Sequence, residues 1–335
     1  MASSDGSSLS FVPFPDAIKV EKLDPHVYKI NLDESYCIGT VPNGGYAGSC
    51  MLAAASAHLS SRGQPDMLTV HFEYPGRTAA GSAIVMIEDV KIARQFSILH
   101  LTLWQGGLVE QTPWITPSIS RRTVLAYTTY TNLRASTGMS VRTGYEAIAA
   151  AALPPPPDFE TLKLKGADKG WKESKLPRAL ASWRSLRNWC FYLPREGQLV
   201  PGTLDMWIRM ASSERITQAA LPYVADSFPW NLHTFLPAPT DGGAEAQSEA
   251  AQRNDQRTEL WFPTVTLNLE TKMALPEGGV EWLAMRVTSK QIKNGKFDLD
   301  ITIRDSEGQL VALSHHVAMI VSIEKNIGEP SKPTL

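Results

Sequence analysis

Cysteine is scarce in this sequence. The 335 residues include three cysteines, Cys37, Cys50 and Cys190, and no two of them form a CxxC pair. A structural zinc site built from cysteines and a redox dithiol both need closely spaced thiols, so neither is encoded. A small, odd number of cysteines is typical of a reducing compartment. We therefore expect a cytoplasmic protein that uses no metal and no cofactor.

Long apolar runs and an excess of one charge are also missing. No segment approaches the roughly 18 apolar residues that cross a bilayer, and residues 1–11 lack the basic start and apolar stretch of a signal peptide. The net charge of −2 provides no basic surface for nucleic acid. The GxSxG motif is absent, which disfavours a serine α/β-hydrolase. We expect no membrane span and no nucleic-acid partner.

The sequence does contain the same order of elements twice. In each half, two short strands precede one helix, and four strands follow it. The helices are predicted at residues 47–59, after a glycine-rich loop at 39–46, and at 216–228. The strands after the helices are predicted at 67–74, 83–93, 96–105 and 124–133, and at 260–270, 282–292, 296–304 and 310–323.

Local sequence landmarks repeat together with this order. Residues 94–97 and 295–298 each open a strand, and residues 106–109 and 308–311 each close a hairpin. The offset is about 200 residues in both cases, which is too long for a solenoid repeat and favours duplication of a domain.

The repeats suggest where the domains begin and end. We predict a tail at 1–16, a first domain at 17–134, an insert at 135–184, a second domain at 185–325 with a mobile loop at 237–257, and a tail at 326–335. The insert contains four consecutive prolines at 154–157 and is interpreted as a linker with one short helix near 144–152.

Several segments resemble TesB-like acyl-CoA thioesterases. In the second half they are Thr266-Leu267-Asn268, Glu281-Trp282-Leu283 and GQLVA at 308–312, and ALPYVAD at 220–226 resembles the family helix that ends in a catalytic aspartate. In the first half, Asn43-Gly44-Gly45-Tyr46 resembles the entry to the helix. The resemblance spans residues 20–133 and 185–323. It implies an α+β double hotdog fold, in which two repeats each wrap an antiparallel sheet around a central helix.

The resemblance also implies a catalytic trio. The family uses an aspartate, a threonine or serine, and a glutamine, which fall on Asp226, Thr266 and His316. A carboxylate in the last turn of a helix faces the negative end of the dipole, which raises its pKa and suits a general base. His316 departs from the family glutamine, and an imidazole can either orient a water molecule or take its proton. A solvated aspartate, an outward-facing threonine and a hydrogen-bonded core histidine remain the structural alternatives.

Four further residues are candidates for substrate binding. Asn43, Gly44 and Gly45 precede a helix, whose free N–H groups can receive a carbonyl oxygen or a phosphate, although a capped turn explains them equally well. Asn268 is on the same strand face as Thr266. Tryptophans are concentrated in the second half, where they either pack the core or wall a pocket for a large acyl group.

These observations favour an acyl thioesterase that hydrolyses a coenzyme A or carrier-bound thioester with activated water. One alternative is a hotdog cyclase, dehydratase or isomerase of secondary metabolism that acts on an apolar polyketide or terpenoid intermediate. Another is a non-catalytic acyl- or lipid-binding protein. The expected partner is a small molecule, and both a monomer and a homo-oligomer are compatible with an internal pseudo-dimer.

Overall fold

One large antiparallel sheet joins two similar halves of the chain. The computed structural model describes residues 11–135, 138–145, 154–176, 183–198, 200, 202–228 and 259–327. The sheet contains 14 strands. Among the described residues, no helix is long and apolar enough to cross a membrane.

The first half wraps six strands around one long helix. The order across the sheet is β1-β2-β6-β7-β8-β5, and β3 pairs with β4 separately. Helix α1 is Phe14–Ala17 and helix α2 is Gly44–His58. The strands are β1 Val20–Asp24, β2 Val27–Leu32, β3 Cys37–Ile38, β4 Val41–Pro42, β5 Asp66–Glu73, β6 Gly81–Ile92, β7 Ser97–Gln105 and β8 Arg121–Thr131.

The second half repeats this arrangement. From the centre outward, the sheet continues β13-β17-β16-β14-β11-β10-β9, with β15 attached to β16 and a separate β12–β18 pair. The strands are β9 Trp171–Glu173, β10 Trp189–Pro194, β11 Thr203–Met210, β12 Leu260–Trp261, β13 Thr264–Thr271, β14 Leu283–Thr288, β15 Ile292–Lys293, β16 Lys296–Arg304, β17 Leu310–Met319 and β18 Val321–Ser322. The helices are α3 Phe159–Lys165, α4 Arg184–Arg187, α5 Leu221–Ala225 and α6 Glu324–Ile327.

The two halves meet along β5 and β13. These strands pair antiparallel, with Asn268 opposite His71 and Leu269 opposite Val70. Each pairs on its other side with the last long strand of its own repeat, β8 or β17. The repeats therefore match strand for strand about this seam, which confirms the double hotdog fold. Joining the sheets removes one open edge from each half.

The central helix α2 is buried on nearly all sides because its side chains are small. Alanine, glycine and serine make up most of its sequence, GGYAGSCMLAAASAH, and ten of its residues are buried. It begins at Gly44, ahead of the predicted start, because the Asn43 side chain accepts a hydrogen bond from the Tyr46 N–H at 2.9 Å and caps it.

The second central helix is shorter than predicted. A 3-10 turn at Gln218–Ala220 leads into α5, which ends at Ala225. Asp226 is the residue after the last turn, and the following Phe228-Pro229 disfavours further helical backbone. The catalytic candidate Asp226 is therefore at a helix end, as the sequence predicted.

Residues 154–176, one described part of the insert between the repeats, fold against the second repeat. Helix α3 begins after Asp158, whose side chain accepts a hydrogen bond from the Thr161 N–H at 3.0 Å. Leu162 of α3 and Trp171 of β9 are buried against Trp207 and Trp282 of the second repeat. The apolar contacts hold the insert on that sheet. The helix predicted near 144–152 and the loop predicted at 237–257 lie largely or wholly outside the described residues.

Candidate active site

Asp226 is held where the two central helices meet. The N–H of Gly45 donates to Asp226 Oδ2 at 2.9 Å, and the hydroxyl of Thr264 donates to Oδ1 at 3.0 Å. The amide of Asn43 donates to the backbone oxygen of Asp226 at 2.9 Å. The carboxylate thus binds at the N-terminus of α2, where free N–H groups and the helix dipole favour a negative charge.

Gly44 and Gly45, at the start of α2, allow α5 and Asp226 to lie this close to α2. A Cβ atom on Gly45 would lie 2.1 Å from the Pro222 oxygen and 2.7 Å from Asp226 Cβ. A Cβ atom on Gly44 would lie 3.1 Å from Asp226 Oδ2. Only glycine lets the backbone of α5 come this close to α2. The Asn43-Gly44-Gly45 sequence therefore serves to position Asp226, and the N–H of Gly45 that was predicted to bind substrate is occupied by the carboxylate.

The threonine at the site is Thr264, where the sequence predicted Thr266. The register of β13 against β17 shifts between these residues, with Thr264 opposite Ala318 and Thr266 opposite Val317. Val265 is the extra residue of a β-bulge, which turns Thr264 onto the face that covers the helices. Thr266 keeps the regular alternation and lies on the outer face. Thr266 was assigned from the resemblance to the family, and the outward-facing threonine named as its alternative describes its position.

Asn268 is also on the outer face of the sheet. Its side-chain oxygen lies 2.7 Å from His71 Nδ1, and it does not line the cavity beside Asp226. Its backbone oxygen, by contrast, accepts the hydroxyl of Ser314 at 2.6 Å. Asn268 therefore contributes its backbone oxygen, and not its side chain, to the hydrogen bonds around Ser314.

His316 approaches Asp226 from β17 and is 1% exposed. Its Nδ1 atom lies 3.8 Å from Asp226 Oδ1, and within the described part of the chain it has no hydrogen-bond partner. Its Nε2 atom lies 2.9 Å from the Ser314 hydroxyl. Because that hydroxyl already donates to the Asn268 oxygen, it accepts the proton of Nε2, which leaves Nδ1 with a lone pair that faces Asp226.

Burial sets the charges of this pair. Loss of solvent raises the pKa of Asp226 to about 6, although the hydrogen bonds from Gly45 and Thr264 partly oppose this shift. Burial also lowers the pKa of His316 to about 3. At neutral pH the aspartate is ionised and weakly basic, while the histidine is neutral. The predicted rise in the aspartate's pKa is present, and desolvation is its first cause.

The carboxylate opens on a cavity of about 230 Å³. Asp226 has 10% of its side chain exposed, and His316, Thr264, Asn43 and Gly44 line the same space. Large aromatic side chains make up much of the rest: Tyr74, Trp183, Phe228, Trp261 and Phe262. Two of the predicted tryptophans thus wall the cavity, whereas Trp189 is in the core and Trp207 lies under the insert. Trp230 is outside the described residues.

Sequence reasoning missed Thr264 and Tyr74. Tyr74 follows β5, and its hydroxyl donates to the Gly44 oxygen at 3.0 Å, which fixes the start of α2 from the other side. Nothing in the sequence marks either residue, because a bulge and a loop contact bring them to the site. Ser314 could have been predicted from the sequence, since it shares a strand face with His316.

Both halves of the chain match known thioesterase domains. Residues 32–126 match the acyl-CoA thioesterase N-terminal domain, and residues 156–320 match the acyl-CoA thioesterase C-terminal domain. The thioesterase-like protein TwmA of Talaromyces wortmannii is 58% identical over 343 residues, which cover 99% of this chain and 98% of TwmA.

Solved structures share the fold. The acyl-CoA thioesterase II TesB2 from Mycobacterium marinum is 14% identical, with a TM-score of 0.58 over 92% of this chain and 98% of that one. A conserved protein with hot dog fold from Alicyclobacillus acidocaldarius is 18% identical, with a TM-score of 0.64 over 92% of this chain and 97% of that one.

Proposed function

The chain belongs to the acyl-CoA thioesterase family, and we propose that it hydrolyses an acyl thioester with a water molecule that Asp226 activates. One observation carries this proposal. Asp226 Oδ1 and His316 Nδ1 are two hydrogen-bond acceptors that face each other 3.8 Å apart at a cavity, and His316 Nδ1 has no donor among the described residues. A molecule that donates two hydrogens can form a hydrogen bond to each of these acceptors.

Water meets this requirement. It donates one hydrogen to each acceptor, and its oxygen lone pair is then free to face the cavity. The Thr264 hydroxyl also donates to Asp226 Oδ1 and keeps the carboxylate in place. A carboxylate with a pKa of about 6 is ionised at pH 7 yet more basic than an ordinary aspartate, which suits a general base.

The reaction then needs no other nucleophile. The water oxygen attacks the thioester carbonyl carbon while Asp226 takes its proton. The tetrahedral oxyanion collapses, the carbon–sulfur bond breaks, and the thiolate of coenzyme A or of a carrier pantetheine leaves. The proton on Asp226 returns to that thiolate, which restores the carboxylate. The positive end of α2 at Asn43 and Gly44 lines the cavity and favours the negative charge that develops.

In this scheme His316 orients water rather than carrying protons. An imidazole with a pKa of about 3 is neutral throughout the physiological range. Its Nδ1 lone pair offers the same acceptor that a glutamine amide oxygen would offer. The histidine therefore replaces the family glutamine without a change of chemistry.

The cavity favours an apolar acyl group. Its aromatic walls, among them Trp183, Phe228 and Trp261, gain from burying apolar surface and can stack on flat or unsaturated chains. The class of substrate is thus an apolar acyl thioester, with the thiol carrier outside the aromatic pocket.

Thiol release tests the proposal directly. A panel of acyl-CoA and N-acetylcysteamine thioesters is incubated with the wild-type protein, and free thiol is measured with a thiol-reactive dye. We expect turnover that falls at least about a hundredfold in Asp226→Asn, which keeps the shape and removes the base. Leu52→Met, at the position of the other repeat that corresponds to Asp226, serves as the control and should leave turnover unchanged.

Two results would contradict this function. No thiol release by the wild type, together with tight calorimetric binding of the apolar acyl ligands, would favour a binding protein or a non-hydrolytic enzyme. Equal turnover by the wild type and Asp226→Asn would remove Asp226 from the chemistry.

A further inference from the structure

A second group of chemically active side chains lies at the far end of α2. His58 is the last residue of that helix, His26 is in the turn between β1 and β2, and Asp89 is on β6. Each offers one ligand atom, and these three atoms lie within 4.8 Å of one another. No other group of three such residues occurs within the described part of the chain.

The three atoms are spaced as ligands of one ion. His58 Nε2 and Asp89 Oδ1 are 2.8 Å apart, and the rings of His26 and His58 are tilted by 49° with their centroids 4.9 Å apart. Zinc binds imidazole nitrogen and carboxylate oxygen at about 2.0–2.2 Å, so tetrahedral ligands are separated by slightly more than 3 Å. Small rotations of the exposed His26 and Asp89 side chains bring the three atoms to that spacing.

His58 Nε2 donates to Asp89 Oδ1 at 2.8 Å, and zinc binding replaces that proton with the ion. The Nδ1 atom of His58 lies 3.2 Å from the Pro25 oxygen, which can accept the Nδ1 proton. Histidines that bind metals almost always donate their other ring proton in this way, which fixes the tautomer and orients the ring. Pro25 is next to His26, so the same turn supplies both a ligand and the group that orients the other ligand.

We infer that His26, His58 and Asp89 form a binding site for a divalent zinc ion, with water as the fourth ligand. Two imidazoles and a carboxylate suit zinc better than magnesium or calcium, which prefer oxygen ligands. Helix α2 has 15 residues, so the site is about 20 Å from Asp226. The ion ties the β1–β2 turn to the end of α2 and to β6, and it takes no part in the reaction.

Calorimetric titration of the metal-stripped full-length protein with zinc chloride tests the site. We expect one ion per chain, and affinity that falls at least about tenfold in His26→Ala and in Asp89→Asn, since even outer partners of a bound metal have effects of that size. His100→Ala is the matched control, because His100 forms a single exposed pair with Glu88 at 3.3 Å on the neighbouring strands. It should bind zinc like the wild type.

A spectroscopic measurement keeps the test independent of folding. Cobalt bound in place of zinc should give the visible absorption of a four-coordinate ion in the wild type and lose it in Asp89→Asn, with unchanged circular dichroism. Zinc should also raise the melting temperature of the wild type more than that of His26→Ala. Absence of binding by the wild type, or equal affinity in the wild type and His26→Ala, would overturn the site.

Discussion

The two repeats place different side chains at matching positions. Val70 pairs with Thr128 in the first repeat as Leu267 pairs with His316 in the second. The register of β5 shifts between Met67 and Thr69 as that of β13 shifts between Thr264 and Thr266, so both central strands carry a bulge at the same place. Met67 therefore corresponds to Thr264, and Thr128 corresponds to His316.

Positions on the two central helices, α2 and α5, also correspond between the repeats. Asn43 is the N-cap residue of α2, and Leu52 comes nine residues after it. Thr217 is the N-cap residue of the 3-10 turn that leads into α5, and Asp226 likewise comes nine residues after it. Leu52 and Met67 line a second cavity, beside an ion pair of 2.6 Å between Arg134 and Asp66. The first repeat thus has leucine, methionine and threonine where the second has aspartate, threonine and histidine.

This difference shows what the fold supplies and what the side chains supply. Both repeats provide a position on the central helix, a bulged strand and a neighbouring strand, and a cavity lies beside each helix. The Thr128 hydroxyl donates to the Thr69 oxygen and so has no proton left to donate to a ligand. At the three matching positions only the second repeat has a carboxylate and an imidazole, so we expect the chemistry at one of the two equivalent places.

The largest expected effect concerns the close contact between α2 and α5. In Gly45→Ala, the added Cβ would collide with the Pro222 oxygen at 2.1 Å, so the helices must separate. We expect a loss of about 3 kcal/mol or more in the free energy of unfolding, measured by urea denaturation, and a loss of thiol release. Gly278→Ala, where a Cβ meets nothing within 4 Å, is the control and should unfold like the wild type.

The destabilisation that results from burying the Asp226 carboxylate can be measured by comparing the wild type with Asp226→Asn. The raised pKa of Asp226, about 6, means that the folded state holds its proton at pH values where the unfolded chain has lost it. Stability relative to Asp226→Asn should therefore fall as pH rises from about 4 to 6 and stay constant above, by about 3 kcal/mol in total. A difference that is constant over this range would show that Asp226 is not desolvated.

The bulge in β13 predicts opposite outcomes for two nearby threonines. Thr264→Val removes the hydroxyl that donates to Asp226, and kcat/KM should fall about tenfold, the value of one hydrogen bond to a charged group. Thr266→Val changes the outer face and should leave kcat/KM unchanged. The reverse pattern would restore Thr266, the assignment made from the resemblance to the family.

The smallest effect concerns the tautomer of His316. Ser314→Ala removes the partner of Nε2, so the proton can move to Nδ1 and occupy the position of the water. We expect a several-fold fall in kcat and a change in the ring nitrogen chemical shifts of His316. Ser314→Thr keeps the hydroxyl and should restore both. Unchanged nitrogen shifts in Ser314→Ala would show that the serine does not set the tautomer.

The sequence predicted the architecture well because element order and hydrophobic alternation are properties of single segments. The double hotdog fold and the family were both predicted and are confirmed. Asp226 and His316 were placed from the resemblance, and the structure brings them to one cavity. Thr264 could not be predicted, because the bulge at Val265 depends on pairing with β17. The packing of the insert was also missed, since its proline run suggested a linker while Leu162 and Trp171 needed a partner surface that the sequence does not show.

The pH dependence of kcat/KM for the wild type and His316→Gln tests the central claim most directly. If Asp226 is the base and His316 only orients water, both proteins should lose activity below one pKa near 6, because protonation of Asp226 removes the base. The glutamine variant should also retain activity within about tenfold of the wild type, since it keeps an acceptor at the water. Loss of activity in His316→Gln at every pH, or a displaced acidic limb, would show that His316 carries the proton and would contradict this account.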